Sequence, residues 1–410
     1  MCESKTLKDE AGTLVKTVSP PHCVAGIPTM EEIDMNLNHY FTLGRTGLRV
    51  SRLALGAMTF GTEWGWGSDK ATARKMFDAY LEAGGNFIDT ADGYTNGTSE
   101  TWLGEFIAES KSRDRVVLTT KFTSNAQPGN PNAGGNGRKN IMRAVEGSLK
   151  RLNTDYIDLY LLHMWDQMTP AEEVMRTLDD LVRAGKIRHA GLSDVPAWYA
   201  ARAATIAEFR GYEPVSALQL EYSLVERNIE HEFTRLGTEL GAGIMVWSPL
   251  ASGFLSGKYR PSEQDNLAPG RLNLMKDIAS PIAQKFNDRN WAILAELEAV
   301  AKACGRSVAQ VALNWVANRP GVASVIVGAS KFEQLHDNLQ ALDFTLPAEL
   351  AARLDTASAP QCPYPYTFFG PGMQGMVHGG TNVGIKPAGY APLVQVSGGG
   401  IEIGPNAHDR

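Results

Sequence analysis

The sequence predicts an α/β fold: a closed (β/α)8 TIM barrel with an N-terminal β-hairpin cap and a Gly/Pro-rich C-terminal tail. Three observations carry that expectation. From Leu53 to Ala357, short apolar runs of strand length alternate eight times with longer segments of helical periodicity. Each connection between strands is long enough to hold a helix, so the strands should run parallel. The first strand–helix turn has no Gly-x-Gly-x-x-Gly fingerprint, which argues against the competing doubly wound open sheet.

Taken in order, Tyr40–Leu43, Gly44–Gly47 and Leu48–Val50 read as a hairpin. Leu53–Gly56 is the first barrel strand. Asp69–Ala83 follows as a helix, with Ala73, Met76, Phe77 and Tyr80 along one side. Asn86–Asp89 is the second strand, and Ser99 should cap a helix running to Glu109. Val116–Lys121 is a buried strand with a polar end. A long Gly/Asn/Pro loop, Thr123–Gly137, leads to a helix over Arg138–Leu152. Ile157–His163 is a strand ending in an ionisable residue. The helix Thr169–Ala184 should have Thr169 as cap and Pro170 at its first position, where a missing N–H is harmless.

The second half repeats the rhythm. Strands are expected at Ile187–Ser193, Ala217–Ser223, Gly243–Leu250 and Val322–Gly328. Helices are expected at Pro196–Phe209, Ile229–Leu240, Pro281–Ala303, Ser307–Asn318, Lys331–Leu342 and Pro347–Ala357, with a long loop over 251–279. This divides the chain into an N-terminal extension (1–38), the barrel (39–357) and a tail (358–410). The extension reads as partly disordered or as an arm reaching a partner. A flexible tail is the default; in a sharper version it folds over a barrel mouth. Its segments Pro392–Val396 and Ile401–Ile403 could form strands along a partner's edge.

Composition narrows the function. The chain has 410 residues, 43% of them hydrophobic, ample for a large core. Its net charge of −6 is spread without a long single-sign block, which argues against nucleic acid as a partner. Cys2, Cys23, Cys304 and Cys362 lack short paired spacings, so neither a disulfide framework nor a metal site is indicated, as befits a reducing cytoplasm. No apolar run is long enough to span a membrane, and the N-terminus lacks a signal peptide's apolar core.

The chemistry collects at strand ends. In a barrel the active site lies at the C-terminal mouth. There the sequence puts Asp89, Lys121, His163, Ser193, Gln219 and Trp247–Ser248. Each alone has an ordinary explanation: Asp89 as a cap, Lys121 as a solvated end, His163 as a satisfied core histidine. The set is harder to dismiss, because closure brings successive strand ends together. Asp is disfavoured in strands and costly to bury unpaired; Lys121, one strand on, can pair with it. An ammonium beside the Tyr94 phenol favours phenolate and makes Tyr94 a usable proton donor near neutral pH. His163 can hydrogen-bond and orient a carbonyl. No Ser or Cys stands here with an adjacent base, and one histidine cannot build a metal site. The missing nucleophile is best supplied as hydride by a cofactor.

The segments Asn86–Tyr94, Thr119–Lys121, Asp158–His163, Gly191–Ser193, Trp247–Leu250 with Ser256–Lys258, and Val325–Ser330 with Glu333–Asn338 are together similar to the aldo-keto reductase superfamily. The resemblance spans roughly residues 40 to 357. It is closest to the branch of bacterial aldo/keto reductases and potassium-channel beta subunits. It implies a catalytic tetrad of Asp89, Tyr94, Lys121 and His163, with Tyr94 the proton donor. It implies an extended nicotinamide cofactor at the barrel mouth. Ser193, Asp194 and Gln219 would hold the carboxamide, and Trp247 would stack on the ring. Ser248, Pro249, Leu250, Ser252, Gly253 and Lys258 would line the pyrophosphate. Gly328, Ser330, Gln334, Asp337 and Asn338 would hold the adenosine end.

Two positions depart from the family's pattern. Many members have Asn or Arg where this chain has Asp194, which can still accept from the carboxamide amine but adds charge near the ring. The Gln334 position is basic in many NADP-preferring members; here Lys331 and Arg271 are the basic candidates for a 2′-phosphate. Ser330 with Lys331 still suits a phosphate, so NADPH/NADP+ is expected ahead of NADH. Trp64, Trp66 and Trp165 are candidate pocket aromatics, with ordinary packing as the alternative. The resulting expectation is an NADP(H)-dependent cytoplasmic oxidoreductase acting on small aldehydes or ketones, with no nucleic-acid or membrane partner and with homo-oligomerisation compatible. Two alternatives stand beside it: a cofactor-binding regulatory subunit with little turnover, and a barrel isomerase or lyase.

Overall fold

Strands buried on both faces close the predicted barrel. In the computed structural model they are β1 (Leu53–Gly56), β2 (Phe87–Asp89), β3 (Val117–Phe122), β4 (Ile157–Leu162), β5 (Ile187–Ser193), β6 (Val215–Glu221), β7 (Gly243–Trp247) and β8 (Val322–Val327). Each pairs in parallel with its sequence neighbours, and β8 returns to β1, so the barrel has no free edge. β3, β4 and β8 are buried at every position, as a parallel sheet wrapped by helices requires. The structure describes residues 7–8, 14–15, 37–263, 272, 284–379, 381, 394–397 and 400–403. Two compact units divide the chain, residues 1–34 and 35–410. In the first, Leu7–Lys8 pairs antiparallel with Leu14–Val15, a short element the sequence did not announce.

Among the described residues the helices around the barrel are α1 (Lys70–Glu82), α2 (Thr98–Ser110), α3 (Arg138–Arg151), α4 (Ala171–Arg183), α5 (Ala197–Arg210), α6 (Phe233–Leu240), α7 (Asp288–Cys304), α8 (Val308–Ala317), α9 (Phe332–Leu339) and α10 (Ala348–Ala357). Several starts follow local chemistry. Asp69 accepts from the Thr72 amide at 2.8 Å, and Ser307 with Gln310 forms a capping box on α8. Two expected caps fail. The Ser99 side chain is buried and donates to the Ala57 carbonyl at 2.7 Å. Gly97, with φ 93°, takes the cap position of α2 instead. At α4, Pro170 is itself the extended cap residue, and Thr169 gives its hydroxyl to Asp166 at 2.6 Å. α7 begins at Asp288, where Asn287 caps it, and residues 284–286 are not helical. The earlier part of that expected helix, 281–283, lies outside the described residues.

The hairpin forms as expected, Tyr40–Thr42 against Arg49–Ser51. Its Leu43 and Val50 are fully buried and join Ala54, Phe87, Val117, Leu159, Ala217, Met245 and Ala323 in one apolar cluster. That cluster plugs the N-terminal end of the barrel. Gly44 is required there: its φ is +58°, and a Cβ would stand 2.3 Å from the Gly241 carbonyl oxygen. Beyond the barrel, Tyr366–Phe369 forms a 3-10 turn and Pro371–Val377 a short helix. Val394–Ser397 pairs antiparallel with Gly400–Ile403. Among the described residues no helix is long and apolar enough to cross a membrane, no acidic, His or Cys cluster could hold a metal, and Cys304 and Cys362 are free thiols.

The alternation of strand side chains then sets the site. Along β2 the inward series runs Phe87, Asp89. Along β3 it is Val117, Thr119, Lys121. Along β4 and just past its end it is Leu159, Leu161, His163, and along β6 Ala217, Gln219, Glu221. Every series begins apolar at the plugged end and ends polar at the open one.

Candidate active site

Lys121 stands at the centre of the mouth with no solvent exposure. Its ammonium donates to Asp89 Oδ2 at 2.7 Å, to the Thr90 carbonyl at 2.8 Å and to the Tyr94 hydroxyl at 3.2 Å. The other Asp89 oxygen accepts from Gln219 Nε2 at 2.7 Å. Both carboxylate oxygens are therefore bonded, as a charge buried to this depth requires. Tyr94 opens a 3-10 turn pinned by the Thr95 hydroxyl, which donates to the Phe60 carbonyl at 2.7 Å. The His163 ring meets the Tyr94 ring edge-on, centroids 5.6 Å apart. So Asp89, Tyr94, Lys121 and His163 lie around one point, together with Gln219, whose contact with Asp89 spans the barrel interior.

The electrostatics divide the two nitrogen bases. Burial pulls the Lys121 ammonium down, but Asp89 and Tyr94 outweigh it and the net shift is upward, so Lys121 stays cationic. His163 is pushed down to about 3 by burial and by Lys121, so its imidazole is neutral. Its Nδ1 is buried without a partner among the described residues. Trp64 packs edge-on to Tyr94 at 6.3 Å, and Trp66 lies 5.5 Å from Trp64, so these two aromatics flank the phenol. Trp165 instead packs against Trp198 and Tyr199, the ordinary role.

Strained loops surround the mouth, and the second half of the barrel adds polar atoms of its own. Among the described residues ten non-glycine residues have positive φ. Eight of them, Thr95, Asn96, Thr123, Gln167, Asp194, Ser248, Ala251 and Ser252, lie in loops leaving the C-terminal ends of strands; Lys111 and Asn153 end helices. Such strain collects at functional sites. The Ser252 hydroxyl is buried without a partner among the described residues, and the buried Ser193 hydroxyl meets the Asp194 carboxyl. The Ser248 hydroxyl accepts from the Ser252 amide at 3.1 Å, holding the turn Ala251–Ser256 that follows β7, Pro249 and Leu250. Lys258 lies beside Gly253, where an added Cβ would be 3.5 Å from its Nζ. Burial and Lys331 both lower the Lys258 pKa, and among the described residues neither lysine forms an ion pair. Two repelling cations, the buried Ser252 hydroxyl and a glycine-containing turn fit an extended anionic cofactor.

The residues expected at the adenosine end have contacts of their own within the protein. Gln334 Oε1 accepts from the Ser330 amide at 3.1 Å and hydroxyl at 3.3 Å. Asp337 is committed to α8: it accepts from Ser307 Oγ and Gln310 Nε2, each at 2.8 Å, and so braces α8 against α9. Asn338 is buried, whereas Gly328 is exposed at the end of β8. Arg271 lies outside the described residues. Sequence reasoning also passed over Asp92, whose carboxyl burial and the Glu100 charge raise to about 7 against the opposing Arg151 and Arg143. One Asp92 oxygen is buried without a partner among the described residues. Glu100 beneath it accepts from Thr120 and Arg151, each at 2.6 Å. The signal was present as an Asp two residues before Tyr94, but its partners come from other strands and helices.

The comparisons with known proteins agree with this geometry. The aldo/keto reductase family profile matches residues 52–359. An aryl-alcohol dehydrogenase of Pestalotiopsis microspora is 32% identical over 85% of this chain and 88% of its own length. Norsolorinic acid reductase of Aspergillus flavus is 33% identical over 83% of this chain and 87% of its own. An uncharacterized oxidoreductase of Bacillus subtilis is 36% identical over 77% and 94%. With a closed barrel, an Asp–Lys–Tyr–His cluster at its mouth and relatives matched across most of their length, the chain belongs to the aldo/keto reductase family.

Proposed function

We propose that the protein is an NADP(H)-dependent reductase of aldehydes and ketones in which Tyr94 gives the proton. The observation that carries this reading is the single ammonium of Lys121 bonded to both Asp89 and Tyr94. Asp89 keeps Lys121 charged. Lys121 in turn stabilises the phenolate left when Tyr94 releases its proton to a carbonyl oxygen. Neutral His163 donates a hydrogen bond to the same oxygen and orients the carbonyl without competing as an acid. Ser193, Asp194 and the oxygen of Gln219 would hold the carboxamide, and Trp247 would pack on the ring. Ser248, Ser252, Gly253 and Lys258 would line the pyrophosphate. When bound, the nicotinamide supplies the hydride. Preference for the 2′-phosphate rests on Lys331 and Ser330, and the Trp64–Trp66 pair would wall the substrate side.

The test is NADPH oxidation followed by absorbance over a panel of aldehydes, with Tyr94→Phe beside the wild type. The variant should lose about two to four orders of magnitude in turnover, the scale of general acid catalysis, while its affinity for NADPH changes little. Tight NADPH binding without turnover of any aldehyde would overturn the reading. Retained turnover in Tyr94→Phe would reassign the acid.

A further inference from the structure

Asp194 combines four features that its neighbours do not share. It follows β5 directly with φ +45°. Its backbone is pinned on both sides: its amide donates to the Gln219 carbonyl, and its carbonyl accepts from the Trp165 amide, each at 3.3 Å. Its Oδ1 accepts from Trp247 Nε1 at 3.1 Å, which fixes the carboxylate against the indole edge. Among the described residues it forms no ion pair.

The nearest charges are already committed: Lys121 is bonded to Asp89 at 2.7 Å, and Glu221 to Lys285 at 3.0 Å. The side chain is accessible from the mouth, yet protein surrounds it closely. That enclosure, with Glu221 adding to it and the Trp247 indole, the Ser193 hydroxyl and Lys121 opposing, raises its carboxyl to about 6. An asparagine would accept the same indole N–H and tolerates the same left-handed backbone. The hydrogen bond and the turn therefore leave one property of Asp194 unexplained, its charge.

We propose that the Asp194 carboxylate makes the protein discriminate between the redox states of its nicotinamide cofactor, favouring the oxidised form. This rests on the cofactor reading above and deepens it. The oxidised ring carries a positive charge and the reduced ring none. A fixed, unpaired carboxylate beside the carboxamide subsite attracts only the first. For unit charges several ångströms apart in a partly solvated site, Coulomb's law gives about tenfold in relative affinity. By linkage the bound couple becomes more reducing, by about 30 mV for a tenfold ratio in a two-electron couple. That favours delivery of hydride to a carbonyl and strengthens retention of the oxidised product. The sign with pH follows: discrimination is full where Asp194 is ionised and fades as pH falls through about 6.

The experiment is equilibrium binding of NADP+ and NADPH, and of NAD+ and NADH to cancel the 2′-phosphate, read by quenching of tryptophan fluorescence. Wild type and Asp194→Asn are compared at pH 5 and pH 7.5. At pH 7.5 the variant should lose about tenfold of the wild-type preference for the oxidised form, and at pH 5 the two proteins should converge. The wild-type ratio measured alone across pH tests the same point should the variant fold poorly. Binding of both forms with a ratio that neither the substitution nor pH alters overturns the inference and leaves the cofactor reading standing. Failure of wild type to bind any of the four nucleotides overturns both.

Discussion

Lys121→Met separates the folding role of the mouth from its chemistry. The lysine and Asp89 side chains are 0% and 4% exposed, and their bond is 2.7 Å long. Methionine fills similar volume but leaves the Asp89 carboxylate facing only Gln219. Breaking one side of a buried pair costs about 3–5 kcal/mol, because the remaining charge is uncompensated. The companion variant Asp89→Asn/Lys121→Met removes both charges and keeps an acceptor for Gln219, so it should regain most of that loss. Urea unfolding of the three proteins with unchanged m values gives the comparison. Carbonyl reduction should be severely impaired in both variants, since each lacks the ammonium beside Tyr94. A single variant destabilised by less than about 1 kcal/mol would show that the pair is not the buried unit inferred. A double variant no more stable than the single would refute the charge argument.

Lys331→Ala should weaken NADPH binding about tenfold, the scale of one charge-assisted contact, and leave NADH binding nearly unchanged. Lys258→Ala should weaken both nucleotides, and titrations of each variant with the two nucleotides check the split. Asp92→Asn should stabilise the fold, and more so at pH 7.5 than at pH 5. The wild-type carboxyl is raised to about 7, so its stability cost accumulates as pH rises from the unfolded value near 4 toward 7. The gain at pH 7.5 is a few kcal/mol at most, about 1.4 for each unit of raised pKa. Melting temperatures of both proteins at the two pH values decide it, and a gain that falls with pH would contradict the sign.

The barrel was legible because its determinants are local. Apolar runs of strand length, helix-length crossovers and the Gly44–Gly47 turn each declare themselves within about ten residues. The mouth was legible for a related reason. Once the strands are parallel and closed, the inward residues near the C-terminal end of each must arrive at one place, and those residues were Asp89, Lys121 and Gln219, with His163 just beyond its strand. What stayed hidden depends on register and on competition between partners. Gln219 reaches Asp89 across 130 positions of sequence, and no spacing rule encodes that. Ser99 has the composition of a cap, but burial recruits its hydroxyl to Ala57. Asp337 sits within a segment similar to the adenosine site, yet Ser307 and Gln310 claim its carboxylate. In each case the residue type was informative and the partner was not.

The same contrast explains how the mouth can hold so unfavourable an arrangement. Eight non-glycine residues in left-handed backbone, at about 1 kcal/mol or more apiece, together approach the whole net stability of an ordinary domain. A buried ammonium, a neutralised histidine and an unpaired Asp194 add to that burden. None of these loops would fold alone. They are carried by the opposite end, where Leu43 and Val50 of the hairpin seal an apolar interior against Phe87, Val117, Leu159 and Met245. The inward series along each strand is therefore a division of labour. Its first residues stabilise the barrel without regard to chemistry, and its last place charges where stability alone would never put them. A carboxylate kept at position 194, where an amide would serve the fold equally well, belongs to the second group, and its reason has to be sought in what the mouth binds.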